Sequence, residues 1–399
     1  MEGTIIQSVI PYALAALCAG LLAFVLTPLV RVLAFKIGAG AVNVPHDGRR
    51  MHKVPIPRIG GIAIFVAFAL TMIAFCDLSK LNVTILFGGL IIAVMGFLDD
   101  VFNLNAWLKL GIQILAAFLA IYEGIAIKFI SFGSHTIVLG GWSIPLTLLW
   151  IVGLTNSINL IDGLDGLACG VSVISSLSLL AVMLVLGDTS SALIVTILIG
   201  SCLGFFPFNA HPAKIFMGDT GAQTLGYLLS LVSINGVFKT HTVLSFLIPI
   251  FIFGLPLFDT FCAIIRRVSH GKSPFSPDRG HIHHRLIDMG FGQKKSVRIL
   301  YSVCGILDIS AVLLTLQKYV PAAIIFISGF ALFVVSTLVY KNPKVRAFTG
   351  MFDEVDALET GIKIATEDEI SNRVKNLAVD HEQANAKDKT EPKKPKEQE

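Results

Sequence analysis

The chain reads as long apolar runs broken by short polar segments. Runs of roughly 18 or more predominantly apolar residues recur from Val9 to Tyr340, long enough to cross the hydrocarbon core of a bilayer as helices. About eleven spans are predicted, near residues 9–33, 60–76, 81–98, 106–122, 143–158, 167–186, 190–207, 222–238, 243–265, 297–316 and 320–340. Those at 60–76, 143–158 and 222–238 are short, so they call for tilt or local thinning. From Gly124 to Trp142 apolar and polar residues alternate around Gly133-Ser134 and Gly140-Gly141, which predicts a small hairpin outside the membrane. After Tyr340 the pattern flips to a polar, charged tail. Residues 352–380 can form an amphipathic helix, and from His381 the balanced charge and Lys-Pro repeats predict disorder.

The expected fold class is therefore all-α: a polytopic membrane protein with cytoplasmic catalytic loops. It divides into a membrane-embedded region, 1–340, and a cytoplasmic C-terminal tail, 341–399, partly disordered. Composition agrees, with 54% hydrophobic and only 15% charged residues, against about 25% charged in soluble domains. The start is not expected to be a cleaved signal. Met1-Glu2-Gly3 lacks a basic n-region, and the apolar stretch Val9 to Val32 is too long for an h-region. Cys18, Cys76, Cys169, Cys202, Cys262 and Cys304 lie in or beside apolar runs without a CxxC pair, as small buried hydrophobes do.

Charge sets the orientation. With the N-terminus outside and sides alternating, 27 of the 31 Lys and Arg residues fall inside, leaving Lys80, Lys128, Lys239 and Lys318 outside. Without the tail the split is still 16 to 4. The net charge of +4 hides this asymmetry, which is a topology signal and not a nucleic-acid patch. A plasma-membrane location with a cytoplasmic active site is expected.

Five polar clusters break the apolar pattern, and all five fall inside by this parity, whereas unrelated loop residues would scatter to both sides. The stretch Arg49 to Gly61 sets cations, Lys53 and Arg58 among them, before a Gly-Gly that opens a helix, an arrangement suited to phosphate or to membrane anchoring. Asp99-Asp100 ends the third span; on a helix the two point about 100° apart, so one can face a site while the other caps or meets water. Asn156, Asn159 and Asp162 recur every three residues on one face near a helix end, followed by Asp165 in a second Asp-Gly pair. Such amides and carboxylates suit a base or a ribose through paired hydrogen bonds, against a plain loop. Asp219 stands between Gly218 and Gly221 at the start of a span, as a metal ligand or an N-cap. The fifth cluster, Pro277 to Arg285, carries Arg279, His281, His283, His284 and Arg285. Three histidines invite zinc, but with no cysteine near and carboxylates elsewhere, oxygen ligands and phosphates favour Mg²⁺, with Mn²⁺ the alternative. Two further carboxylates sit in apolar runs. Asp259 is two helical turns before Arg266 and Arg267 and can pair with one of them or face the site, and Asp308 is mid-span.

Taken together, Ala41 to Arg285 resembles the polyprenyl-phosphate N-acetylhexosamine-1-phosphate transferase superfamily. The stretch Arg49 to Gly61 and Asp278 to Arg285 are most similar to the branch that moves GlcNAc-1-phosphate to start teichoic acid, O-antigen or related glycans. The pentapeptide-transferring branch typically shows Pro-Thr-Met-Gly-Gly and three consecutive histidines. Pro57-Arg58-Ile59-Gly60-Gly61 and His283-His284-Arg285 depart from that. The resemblance implies an enzyme that combines UDP-GlcNAc with undecaprenyl phosphate to give GlcNAc-pyrophosphoryl-undecaprenol and UMP, with Mg²⁺. It implies Asp219 as metal ligand, helped by Asp162, and Asp99 or Asp100 orienting the lipid phosphate. Asn156, Asn159, Asp162 and Asp165 would hold the nucleoside or metal. Lys53, Arg279, His281, His283, His284 and Arg285 would grip diphosphate and sugar, His283 in a catalytic role. The expected partners are UDP-GlcNAc, undecaprenyl phosphate and membrane lipid, with no nucleic acid and a homodimer allowed for. A transporter is the rival of another class, but its site would sit near the midplane, often between inverted repeats. No repeat is visible here.

Overall fold

The structure, a computed structural model, describes residues 2–38, 56–132, 135–238, 246–271, 273 and 280–340. The chain divides into two compact units, Met1–Val335 and Ser336–Glu399, and the first carries everything below. The tail 341–399 and the cations at 49–53 lie outside the described residues.

Apart from turns and loops, the described residues are helical except for one hairpin. In chain order come α1 (Glu2–Lys36), α2 (Gly61–Phe75), α3 (Lys80–Phe102) and α4 (Ala106–Tyr122). Strands β1 (Phe129–Phe132) and β2 (His135–Val138) then pair antiparallel, Phe129 opposite Val138, where the alternating pattern predicts a hairpin. There follow α5 (Ser143–Ile161), α6 (Leu167–Leu186), α7 (Thr189–Asn209), α8 (Gly218–Ser233), α9 (Leu247–Ile252), α10 (Gly254–Ser269), α11 (Ile282–Asp288), α12 (Gln293–Thr315) and α13 (Tyr319–Tyr340). Among the described residues, six helices are long and apolar enough to cross a membrane: Val9–Lys36, Lys80–Phe102, Gly140–Ile161, Leu167–Leu186, Thr189–Asn209 and Gln293–Thr315. Gly61–Phe75, Ala106–Tyr122 and Tyr319–Ala331 are shorter apolar helices. The outer faces carry exposed Leu17, Leu21, Val25 and Leu29 on α1 and Phe258, Phe261 and Ile265 on α10. So much apolar surface is stable against lipid and not against water. The chain is an all-α membrane protein.

The predicted span at 243–265 is instead two helices meeting at Phe253. Pro256 supplies no backbone N–H, so the carbonyl of Ile252, four residues earlier, loses its helical donor. The hydroxyl of Ser175 on α6 donates to that oxygen at 2.9 Å, as an apolar interior requires.

Helix α8 is the centre of the bundle, buried from Thr220 through Ser233. Its neighbours reach it through glycines. A Cβ on Gly61 would collide with the Gly221 backbone, and one on Gly96 would stand 2.5 Å from Cα of Thr220. Extended backbone before α2 adds hydrogen bonds: Phe216 N–H donates to the Pro57 carbonyl at 2.8 Å, and Gly60 and Gly61 N–H donate to Phe216 and Met217 at 3.0 and 2.9 Å. The starts of α2 and α8 and the end of α3 are thereby brought to one point.

Gly61→Leu and Gly96→Leu should each destabilise the protein by about 1–3 kcal/mol or more, since backbone cannot yield to the new side chain. Gly111→Ala in α4, where a Cβ meets nothing within 4 Å, should leave stability unchanged or slightly raised. Melting in detergent micelles checks this; equal losses in all three variants would refute the close-approach account.

Candidate functional site

The ends of α3, α5 and α7 and the starts of α4, α6 and α8 lie at one end of the bundle, and the chemistry gathers there. Asp100 takes the start of α8. Its Oδ1 accepts from the Asp219 N–H at 3.0 Å, and its Oδ2 accepts from the Thr220 N–H at 3.0 Å and the Thr220 hydroxyl at 2.6 Å. Of the adjacent pair, Asp100 is thus the cap, and Asp219 is spared that duty. Asp99 turns the other way: Oδ1 accepts from Leu104 N–H at 2.7 Å and Oδ2 from Lys109 Nζ at 2.8 Å. Lys109 also reaches Asp219 Oδ2 at 3.4 Å. The Asp219 side chain is 29% exposed against 9% for Asp99, so Asp219 presents its carboxylate outward while Asp99 holds the lysine.

Helix α5 supplies the amide face its three-residue spacing predicts. Asn159 Nδ2 lies 3.5 Å from Asp219 Oδ2. Asn156, one turn deeper, bonds Gln113 of α4, which bonds Gln223 of α8, which donates to Asp219 Oδ2 at 2.8 Å. Asp162 follows α5 as a half-buried loop carboxyl. Its pKa is raised to about 7, first by burial and then by the charges of Asp219 and Asp100, with Arg58 opposing. Asp165 points elsewhere: Oδ2 pairs with His211 Nδ1 at 2.8 Å and accepts from the Ala213 N–H at 3.1 Å, tying the Asp-Gly loop to the segment between α7 and α8.

The histidines close the site from α11. Asp259 on α10 takes His281 Nδ1 at 2.9 Å and the Ile282 N–H at 2.9 Å, which resolves that membrane carboxylate in favour of anchoring the start of α11. His281 and His283 stack with rings 5.8 Å apart, and His284 lies 4.2 Å from His283. The His283 ring lies against Gly163, whose missing side chain makes room for it. Third and fifth clusters therefore meet. His283 is buried, which lowers its pKa to about 4, helped by neighbouring His284. Arg285 is exposed on the same helix. Lys53 and Arg279 lie outside the described residues.

Lys109, Gln113, Thr220 and Gln223 were not singled out as site residues by sequence reasoning, although Lys109 binds the two central carboxylates. One signal for it existed: a single cation just inside an apolar helix, ten residues after Asp99. Asp308 stays apart from the site, buried in α12, its Oδ2 3.9 Å from Cys304 Sγ.

Comparison with known sequences gives a consistent result. The sequence profile of glycosyl transferase family 4 matches residues 82–237. A Bacillus subtilis protein named "Probable undecaprenyl-phosphate N-acetylglucosaminyl 1-phosphate transferase" is 42% identical over 334 residues, 83% of this chain and 90% of the relative. The Mycolicibacterium smegmatis "Decaprenyl-phosphate N-acetylglucosaminephosphotransferase" is 36% identical over 75% of this chain and 81% of its own. The Escherichia coli "Undecaprenyl-phosphate alpha-N-acetylglucosaminyl 1-phosphate transferase" is 28% identical over 78% and 88%.

His283 makes a pH prediction. Its pKa in the folded protein, about 4, lies below the ordinary 6.5, so the folded state resists protonation that the unfolded chain accepts. Its stability contribution is whole above pH 6.5 and is lost as pH falls toward about 4. Between pH 7.5 and 5 the wild type should therefore lose up to roughly 2 kcal/mol relative to His283→Gln. Parallel melting curves check the sign; a gap that is flat with pH would place a charged imidazole in the folded protein.

Proposed function

The chain belongs to glycosyl transferase family 4, and on that premise we propose that it transfers GlcNAc-1-phosphate from UDP-GlcNAc to undecaprenyl phosphate, giving GlcNAc-pyrophosphoryl-undecaprenol and UMP. The observation that carries this reading is the meeting of Asp219, Asp99 and Lys109 with the Asn159–Asp162 helix end at one end of an apolar bundle. Relatives named as N-acetylglucosamine phosphotransferases of undecaprenyl or decaprenyl phosphate cover most of the chain. A lipid acceptor explains the membrane, and an anionic donor explains cations beside carboxylates. The polar groups sit at helix ends and not at the midplane, which counts against a transporter.

The residues fit a divalent cation. Among the described residues no three acidic or imidazole groups close on one point as a preformed cage. Mg²⁺ does not ask for one, since one or two carboxylates and substrate phosphates complete its shell. Asp219 and Asp162 offer such carboxylates, and after burial the charge of Asp219 is the largest influence raising the Asp162 pKa, which a cation between them would relieve. When bound, the ion would neutralise charge on the diphosphate. Asn159 would orient the donor. Asp99 holds Lys109 beside Asp219, where the cation can meet phosphate oxygens. His283, neutral near pH 7, would contribute hydrogen bonding to sugar or diphosphate without charge.

An oxygen of the lipid phosphate attacks the donor's β-phosphorus. A new P–O bond forms as the bond to the bridging oxygen breaks, and that oxygen leaves on UMP. The acceptor is already an anionic nucleophile near neutral pH, so no covalent enzyme intermediate is needed. Purified protein given a panel of UDP-sugars should use UDP-GlcNAc and ignore the UDP-linked muramoyl pentapeptide. EDTA should abolish turnover. Asp219→Asn should lower kcat by at least about a hundredfold while the protein still inserts. Exchange of labelled UMP into UDP-GlcNAc without lipid would favour a covalent route instead.

We propose further that all eleven predicted segments cross the membrane, with this end cytoplasmic, on the strength of the cation asymmetry. In intact cells, a cysteine introduced at exposed Lys214 should be closed to an impermeant thiol reagent and one at Lys128 near the hairpin open to it. The reverse result would invert the topology.

A further inference from the structure

We propose that Gln223, Gln113 and Asn156 are positioning residues that hold the Asp219 carboxylate in the orientation it needs toward a divalent cation. This rests on the reading of Asp219 as a metal ligand. Three amide side chains from three different helices form a continuous chain inside the bundle. Gln223 Nε2 donates to Asp219 Oδ2 at 2.8 Å, and Gln113 Nε2 donates to Gln223 Oε1 at 2.8 Å. Asn156 Nδ2 donates to Gln113 Oε1 at 2.7 Å and to the Val152 carbonyl at 2.8 Å. Asn156 Oδ1 takes a longer bond from Gln113 Nε2 at 3.4 Å, so Gln113 and Asn156 clasp each other reciprocally. Gln113 and Gln223 are 2% and 1% exposed, and glutamine is rarely buried so fully.

The chain has a direction, and Asp219 sets it. An ionised carboxylate only accepts, so Gln223 must turn its NH₂ toward Asp219 and its oxygen toward Gln113. Gln113 must then donate to Gln223 and accept from Asn156. Asn156 ends the chain on a helical carbonyl, which can only accept. Every amide is therefore locked in one orientation by two fixed acceptors at its ends, Asp219 and Val152. Conversely, Asp219 Oδ2 is pinned from within the bundle by Gln223 and from the side by Lys109 at 3.4 Å. The bridge also links Asp219 on α8 to Asn156 on α5, the helix that carries Asn159 and leads into Asp162. A metal-ligating carboxylate is typically oriented by such outer partners, whose loss costs about 10–100-fold in affinity.

The test separates positioning from packing. Donor-free protein in detergent is melted at rising Mg²⁺, and separately Mn²⁺, to find the concentration giving the half-maximal rise in Tm. Steady-state kinetics then give kcat and the KM for UDP-GlcNAc. Gln223→Leu should raise the half-maximal Mg²⁺ concentration by about tenfold or more and lower kcat, with the donor KM changed less than about twofold. It also leaves Gln113 Nε2 without its acceptor, so some loss of metal-free Tm is expected. The double variant Gln113→Leu/Gln223→Leu removes both halves of that bond and should recover part of the metal-free Tm, Asn156 keeping its bond to the Val152 carbonyl, while its Mg²⁺ response stays weak. Recovery of both together would mean the amides only pack, overturning the proposal. So would a Gln223→Leu protein with the wild-type Mg²⁺ midpoint. A wild type whose Tm ignores both ions would fail the metal reading of Asp219 itself, and the positioning role with it.

Discussion

Both oxygens of Asp100 are committed to the first residues of α8, and the rest of the site depends on that commitment. A helix start carries unpaired N–H groups and a partial positive charge, and here it lies beside the end of another helix in an apolar bundle. By taking the N–H groups of Asp219 and Thr220 and the Thr220 hydroxyl, Asp100 fixes where α8 begins. It also spares Asp219, which would otherwise be the natural group to bend back on its own helix. The approach is close enough only because Gly61, Gly96 and Gly218 have no side chains; a Cβ on Gly218 would meet the Arg58 carbonyl and the Asp100 carboxylate.

A related constraint, the cost of leaving a buried polar group unpartnered in an apolar surround, accounts for what two other acidic residues do. Asp165 with His211, and Asp259 with His281, are carboxylate–imidazole pairs that fasten a loop and a helix start to the bundle. Each pair also accepts one backbone N–H, from Ala213 and Ile282, so each carboxylate fixes main chain as well as side chain. The result is a rim whose shape is set by structural acids, leaving Asp219 and Asp162 as partly exposed carboxyls. Asp99 stands between these classes, structural toward Leu104 and electrostatic toward Lys109.

The helices and the gathering of the clusters were legible because their signals are local: run length, three-residue spacing, glycine beside aspartate. Alternation around Gly133 likewise located the hairpin. The break at Phe253 was not read, because it needs Pro256 to be weighed against a carbonyl four residues back. Nor could the sequence divide labour within Asp99-Asp100, since helical spacing says that the two diverge but not which helix start lies on either side. Lys109, Gln113 and Gln223 were missed for a related reason. Lys109 and Gln113 each lie 110 residues from their partners, Asp219 and Gln223, and each alone looks like one polar residue in an apolar helix. The pairing of Asp259 with His281, not with the nearby arginines, was likewise a tertiary fact.

The balance of charge at the centre bears on how a donor would be accepted. Lys109 lies between Asp99 and Asp219 at 2.8 and 3.4 Å, so one cation is shared by two carboxylates, with Asp100 and Asp162 close enough for their charges to be felt. Arg58 opposes these charges at Asp162, where burial and the neighbouring carboxylates together hold the carboxyl near pKa 7. A diphosphate approaching alone would meet repulsion from Asp219 and Asp162. A cation approaching alone would find those two carboxylates and fill the rest of its shell with water, lacking only the phosphate oxygens. The two requirements are complementary: a diphosphate brings the missing oxygens, and a cation removes the repulsion. On the proposed reading, donor and cation affinities are therefore coupled through Asp219. Such coupling is reciprocal by thermodynamic necessity, so a residue that fixes the Asp219 carboxylate acts on the cation directly and reaches the donor only where the cation is limiting.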